Sequence, residues 1–114
     1  MSLPLEGMRI IAVEQYGAGP YGTSFLADLG ADLIKIENRS MGGDISRHVG
    51  PYYLGKADSQ FFQSFNRNKR SLSLDLKHPS GIAILQKLII SGENFSNSLI
   101  IELALKRNIP LFQV

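Results

Sequence analysis

The sequence predicts an α/β chain with a Rossmann-like, mostly parallel sheet flanked by helices, built as part of a larger domain. Three observations carry this. Two short apolar runs, residues 8–13 and 31–37, bracket a glycine-and-proline bend and a helical segment, and strand, helix, strand in that order makes a parallel pair. A third run, 71–76, alternates Leu72, Leu74 and Leu76 with Ser71, Ser73 and Asp75, the pattern of a strand with one buried face. Behind it, Ile82, Leu85, Leu88 and Ile89 recur at helical spacing.

Each element has a local cause. Pro4 and Gly7 mark the approach to the first strand, 8–13. Pro20 suits the first position of the next helix, where a missing N–H costs nothing, and Gly30 ends it. The second strand follows over 31–37. Residues 38–57 hold Gly42, Gly43, Pro51 and Gly55 with no hydrophobic period, so they form a long excursion of the kind kept for function. The spacing then predicts a helix over 58–65 capped by Asp58, with Phe61, Phe62 and Phe65 on one face, packed in the core. After the third strand, His78-Pro79-Ser80 starts a helix that runs through Ile90. The tail, 97–114, reads as another helix capped by Asn97 or Ser98 and closed by Lys106, Arg107 and Asn108, with a last strand over 109–114. No repeat or low-complexity segment interrupts the chain.

With 114 residues, 44% of them apolar and 19% charged, the chain can bury one core. A formal charge of +2 points to neither nucleic acid nor membrane. No apolar run reaches the roughly 20 residues a membrane helix needs, and no secretory signal is evident. The absence of cysteine excludes disulfides and thiolate metal sites and fits the cytoplasm or an organelle matrix.

Two stretches carry chemistry. Gly17-Ala18-Gly19-Pro20-Tyr21-Gly22 matches G-x-G-x-x-G between a strand and a helix, with Glu37 at the end of the next strand as the acid that would take a ribose hydroxyl. An NAD(P)-binding domain is therefore one reading. Against it, Glu14 to Tyr16 delay the first glycine, and Glu14 would set a like charge beside a phosphate; the plain alternative is a turn, a helix start and close helix packing. The second stretch is Asn66-Arg67-Asn68-Lys69-Arg70, backed by Lys77. Its dense cations suit a polyanionic ligand over an apolar floor of Leu72, Leu74 and Leu76, or else make a solvated basic turn.

The order and spacing of Pro4-Leu5-Glu6-Gly7-Met8-Arg9-Ile10, Gly19-Pro20, Gly30-Ala31-Asp32-Leu33-Ile34-Lys35-Ile36-Glu37, Arg47, Asn68-Lys69-Arg70-Ser71 and Leu74-Asp75-Leu76-Lys77 resemble the N-terminal segment of the family III CoA-transferases. That group includes formyl-CoA transferase and carnitine CoA-transferase, with the α-methylacyl-CoA racemases as a related branch. Asn66-Arg67-Asn68-Lys69 and Glu93-Asn94-Phe95 look more like the transferase branch.

The resemblance implies a partial N-terminal CoA-binding domain over 1–114, with 4–95 following the family. Its substrate would be CoA or acyl-CoA, with no tightly bound cofactor or metal, and the full-length family forms homodimers. It implies that Leu74 and Lys77, with the residues between them, line the adenosine site, that Gly17 and Ala18 lie beside the nucleotide, and that Asn94 and Phe95 approach it. Lys69 and Arg70 would supply phosphate donors. Where the family often has an arginine directly after its IKIE glutamate, this chain has Asn38 and then Arg39, so Arg39 is the candidate for that role.

Catalysis in the family resembles attack of an aspartate on a thioester to give a mixed anhydride and free CoA thiolate. That aspartate lies beyond the matching region. None of Asp28, Asp32, Asp44, Asp58 or Asp75 falls in such a motif, so no catalytic residue is assigned; Asp44 is expected to cap or order its loop. His48 and His78 have no metal-ligand spacing and read as surface or capping residues. After Ile89 the Glu93-Asn94-Phe95 motif arrives early and 96–114 departs from the family. A missing strand is therefore expected, in a truncated or rearranged piece. A non-catalytic interaction module, with an open sheet edge and apolar surface, is the remaining reading.

Overall fold

A computed structural model describes residues 2–90 and the backbone of residues 98–102. In chain order the elements are β1 (Arg9–Val13), helix α1 (Ala18–Asp28), β2 (Asp32–Asn38), two 3₁₀ turns (Arg39–Met41 and Ile45–His48), β3 (Tyr53–Gly55), β4 (Asp58–Ser59), α2 (Gln60–Phe65), β5 (Lys69–Leu74), α3 (Pro79–Ile90) and β6 (Ser98–Glu102). Four strands form one parallel sheet in the order β5-β2-β1-β6, while β3 and β4 make a small antiparallel hairpin. The Rossmann-like α/β architecture is thus present, as part of a larger fold. From β1 the chain moves outward to β2 and β5, then returns to the far side of β1 for β6. That reversal places a topological switch between β1 and β6, and the loop after β1 opens beside it.

Alternation along the strands divides the core in two. On one face Ile11, Ile34, Ile36 and Leu74 pack against Leu85 and Ile89 of α3. On the other, Ile10, Ala12 and Leu33 pack against Ala27 of α1 and Ala31. The stripe expected on α3 is the one used: Leu85 and Ile89 are buried and Leu88 packs alongside. Helix α1 closes as a Schellman motif, Gly30 N–H donating to Ala27 O (3.1 Å) and Ala31 N–H to Leu26 O (3.2 Å), with Gly30 at φ 100°.

Several expectations are corrected. The segment 98–102, read as the start of a helix, is strand β6, paired in parallel with β1 from Arg9↔Ser98 to Val13↔Glu102. A short apolar run does not reveal its own period, and the open edge of β1 decides it. The rest of the tail, with the predicted helix end and the strand over 109–114, lies outside the described residues. Pro20 sits at the third position of α1, not the first, still among the N–H groups that lack intrahelical acceptors. Helix α2 spans Gln60–Phe65 rather than 58–65, and its cap is one residue later than expected: Ser59, whose Oγ accepts from Phe62 N (3.0 Å), while Asp58 takes Gln63 Nε2 (2.8 Å). Of its three rings only Phe62 is buried; Phe61 and Phe65 join Tyr16, Tyr21 and Phe25 in a row of touching aromatics, adjacent centroids 5.0 to 5.8 Å apart.

Gly81 anchors α3 against the turn after β5. A Cβ there would lie 2.0 Å from the Asp75 carbonyl oxygen, and backbone cannot yield as a flexible side chain can. Gly81→Ala is therefore expected to destabilise the chain by about 1–3 kcal/mol, read as a lower urea midpoint. Ile84→Ala, at an exposed site of the same helix, serves as the control; equal shifts would contradict this account.

Candidate functional site

The β2 residues that alternate with Ile34 and Ile36 are Leu33, Lys35 and Glu37, all buried. In register beside them on β5 stand Lys69, Ser71 and Ser73. This half of the sheet face is therefore polar, and the long excursion after β2 folds back over it. Lys35 Nζ donates to Asp44 Oδ2 (2.6 Å) and Asn66 Oδ1 (2.9 Å) and lies 3.7 Å from Glu14 Oε1. Lys69 Nζ donates to Glu14 Oε1 (2.8 Å), Pro20 O (2.9 Å) and Asn66 Oδ1 (3.2 Å). Thr23 Oγ1 donates to the other Glu14 oxygen (2.6 Å). Among the described residues no buried side-chain nitrogen or oxygen lacks a partner.

Glu37 is held just as fully. Oε1 accepts from Arg47 Nε (2.8 Å) and Asp44 N (2.7 Å), and Oε2 from Arg47 Nη2 (2.7 Å) and Ser71 Oγ. The Arg47 guanidinium lies 3.8 Å from the Phe62 ring centroid and donates to Ala57 O (3.1 Å). Burial alone would raise the Glu37 carboxyl, but Arg47, Ser71 and the Asp44 N–H pull it from 4.5 down to about 2. For Asp44 burial is again outweighed, chiefly by Lys35, and its carboxyl is lowered. Burial pushes the Lys69 ammonium below the ordinary lysine value, with Glu14 opposing.

These contacts sort the sequence-predicted site residues into two groups. Lys69 is internal, its side chain 2% exposed, and all three ammonium donors are taken, so none is left for a phosphate. Arg70 pairs with Asp32 (2.8 Å) and Arg67 with Asp28 (2.7 Å). Both acids flank the turn that enters β2, so these arginines stand at the amino-terminal rim of the sheet. The turn read as a single cationic cradle is thereby corrected: its side chains diverge, each to its own carboxylate, because parallel pairing sets Lys69 opposite Leu33 near the start of β2.

The other group gathers at the opposite rim, where the parallel strands end. Gly17 caps α1 and Ala18 begins it, at the end of the short loop that follows β1. Arg39 opens the 3₁₀ turn after β2, which Asn38 caps by accepting from Ser40 N (3.0 Å). Leu74 ends β5 opposite Asn38, and Lys77 follows in a turn where its N–H donates to Asp75 Oδ1 (3.0 Å). Arg39 and Lys77 are exposed and neither side chain is ion-paired among the described residues. Asn94 and Phe95 lie outside the described residues. The expected role of Asp44 is observed: it caps the turn Ile45–His48, accepting from Ser46 N (2.9 Å). His78 likewise caps, its Nδ1 accepting from Ser80 N (3.1 Å). Sequence reasoning missed Lys35 and Glu37 as polar core; the one clue was a lysine and a glutamate inside an otherwise apolar strand.

The dinucleotide reading loses its acid here. All four acceptor positions of Glu37 are filled from within the protein, and Glu14 pairs with lysines rather than facing an anion.

Comparison with known proteins fits this architecture. The sequence model of CoA-transferase family III matches residues 5–99. The chain belongs to that family. Succinate–glutarate CoA-transferase of Agrobacterium fabrum is 40% identical over 95 residues, 79% of this chain and 24% of that protein. The human succinyl-CoA:glutarate CoA-transferase is 42% identical over 85 residues, 75% of this chain and 19% of its own. A crystal structure of a CAIB/BAIF family protein from Brucella suis superimposes with a TM-score of 0.74 at 30% identity, covering 90% of this chain and 26% of that one. The chain thus spans about a quarter or less of the length of these relatives. Among the described residues no helix is long and apolar enough to cross a membrane, and no group of three or more His, Asp or Glu side chains could hold a metal ion.

Two outcomes follow from the polar core. Lys69→Ala should cost about 3–5 kcal/mol of stability, since Glu14 would stay buried without its nearer ammonium; a small change in unfolding free energy would contradict the pairing. Because the folded Glu37 carboxyl lies below its unfolded value, its contribution is complete above about pH 4.5 and drains away as pH falls toward about 2. Glu37→Gln should therefore flatten the acid limb of stability against pH, which urea titrations between those limits would detect.

Proposed function

We propose that this chain is the CoA-binding N-terminal part of a family III enzyme that transfers CoA between carboxylic acids, its nucleotide seated on the carboxyl-end rim of the sheet. The observation that carries the reading is that Gly17 and Ala18, Arg39, and Asp75 through Lys77 follow three adjacent parallel strands at one rim, where Leu74 ends the third. Ligands of open α/β sheets bind at that rim beside the topological switch. Arg39 and Lys77 bring cations not committed to a carboxylate among the described residues, which suits the pyrophosphate and 3′-phosphate of CoA. Asn94 and Phe95 complete the proposed set.

The relatives named above are CoA-transferases, which favours transfer over the racemase branch. No catalytic residue is assigned within these residues; the nucleophilic carboxylate belongs to a segment outside the match. In full-length form the enzyme would act on CoA thioesters as a homodimer, in the cytoplasm or an organelle matrix.

Calorimetry with CoA tests the reading. Binding should weaken as salt is raised, and Arg39→Ala and Lys77→Ala should each reduce affinity about fivefold to tenfold. Arg67→Ala and Arg70→Ala, at the far rim, should leave it within about twofold. No heat at millimolar CoA, or a loss confined to the far-rim variants, would overturn the assignment.

A further inference from the structure

Tyr16 connects the buried charges to the loop after β1. Its backbone lies at φ 74°, a left-handed conformation that a bulky residue holds only where its surroundings impose it. Asp44 supplies the constraint. Its Oδ1 accepts from Tyr16 N (3.0 Å), Ser46 N (2.9 Å) and Ser46 Oγ (2.8 Å), and its Oδ2 accepts from Lys35 Nζ (2.6 Å). Its own N–H donates to Glu37 Oε1 (2.7 Å). One aspartate, 2% exposed, thereby joins the middle of β2 and the bend that delivers Gly17 through its carboxylate, and the end of β2 through its N–H. Gly17 itself has no side chain with which to cap α1, so the direction of that bend is set from outside it.

We propose that Asp44 is a positioning residue for the nucleotide loop: by holding Tyr16 in its left-handed conformation it fixes where Gly17 and Ala18 face the rim. The proposal rests on the CoA-binding reading above for its functional meaning and on Tyr16 geometry alone for its structural half. Asp44 touches no ligand in this scheme. It acts through the Tyr16 N–H, and Lys35 orients it by claiming the second oxygen.

The distinguishing variant is Asp44→Asn. A carboxamide offers a single oxygen, and the Lys35 ammonium is the stronger claimant. The amide nitrogen then faces the Tyr16 N–H, donor against donor, and the bend is released. Expected are an affinity for CoA about tenfold lower and amide exchange at Tyr16 about tenfold faster relative to Ile11. Adding Tyr16→Gly removes the conformational penalty of positive φ, so the double variant should return to within about threefold of the original affinity while its thermal midpoint stays at the lowered value. A purely structural Asp44 would give no such rescue, and affinity would follow stability.

Original affinity in Asp44→Asn overturns the proposal, as does a double variant that remains weak. If the unsubstituted chain binds no CoA, the functional reading fails by itself, and exchange at Tyr16 decides the rest. Slow exchange in the unsubstituted chain, comparable to Ile11, supports the clamp; exchange as fast as an open loop refutes it. That measurement also decides the matter should neither variant fold.

Discussion

Among the described residues two ammonium groups lie buried against this small sheet, and the arrangement of everything above β2 follows from the need to satisfy them. Lys35 occupies a mid-strand position between Ile34 and Ile36, and Lys69 enters from the neighbouring strand. Buried charges are tolerated only when each has counter-charge and hydrogen bonds. The partners come from far along the chain: Glu14 after β1, Asp44 in the excursion and Asn66 after α2. The excursion is consequently clamped to the sheet rather than left as a mobile loop, and Arg47, stacked on Phe62 and paired with Glu37, closes the other side.

This clamp also divides the cations by task. Lys69 and Lys35 belong to the interior. Arg67 and Arg70 neutralise Asp28 and Asp32 at the rim where the strands begin. Arg39 and Lys77 are left at the rim where strands end, the side on which a parallel sheet presents its loops and helix starts. A basic segment in the sequence is thus one structural anchor and two surface ion pairs.

Much of the scaffold was legible beforehand, and the reasons are local. Helix α3 begins at Pro79 and ends at Ile90, as its proline and apolar stripe indicate. Strands β1, β2 and β5 emerge within two residues of their apolar runs. The errors cluster where neighbours outvote local pattern: β6 took its conformation from the edge of β1, and Ser59 displaced Asp58 as a cap because its hydroxyl also reaches Ser46 O (2.6 Å). Phe61 and Phe65 were expected inside, yet α2 is short and turns only Phe62 toward Arg47.

The residues proposed for the rim, namely the glycine bend, Arg39 and those around the end of β5, are picked out by sequence motif, since a loop that ends a parallel strand keeps its residues contiguous. The pairing of Lys69 with Glu14 is not, because the two are joined only when β5 crosses to its place beside β2. The sequence by itself determined the alternation of strands and helices and hence the family of folds, since period and punctuation are properties of neighbouring residues. Only the tertiary structure decided which charges face inward, because the cost of burying an ammonium depends on acceptors brought from elsewhere in the chain, and spacing along the backbone does not record that meeting.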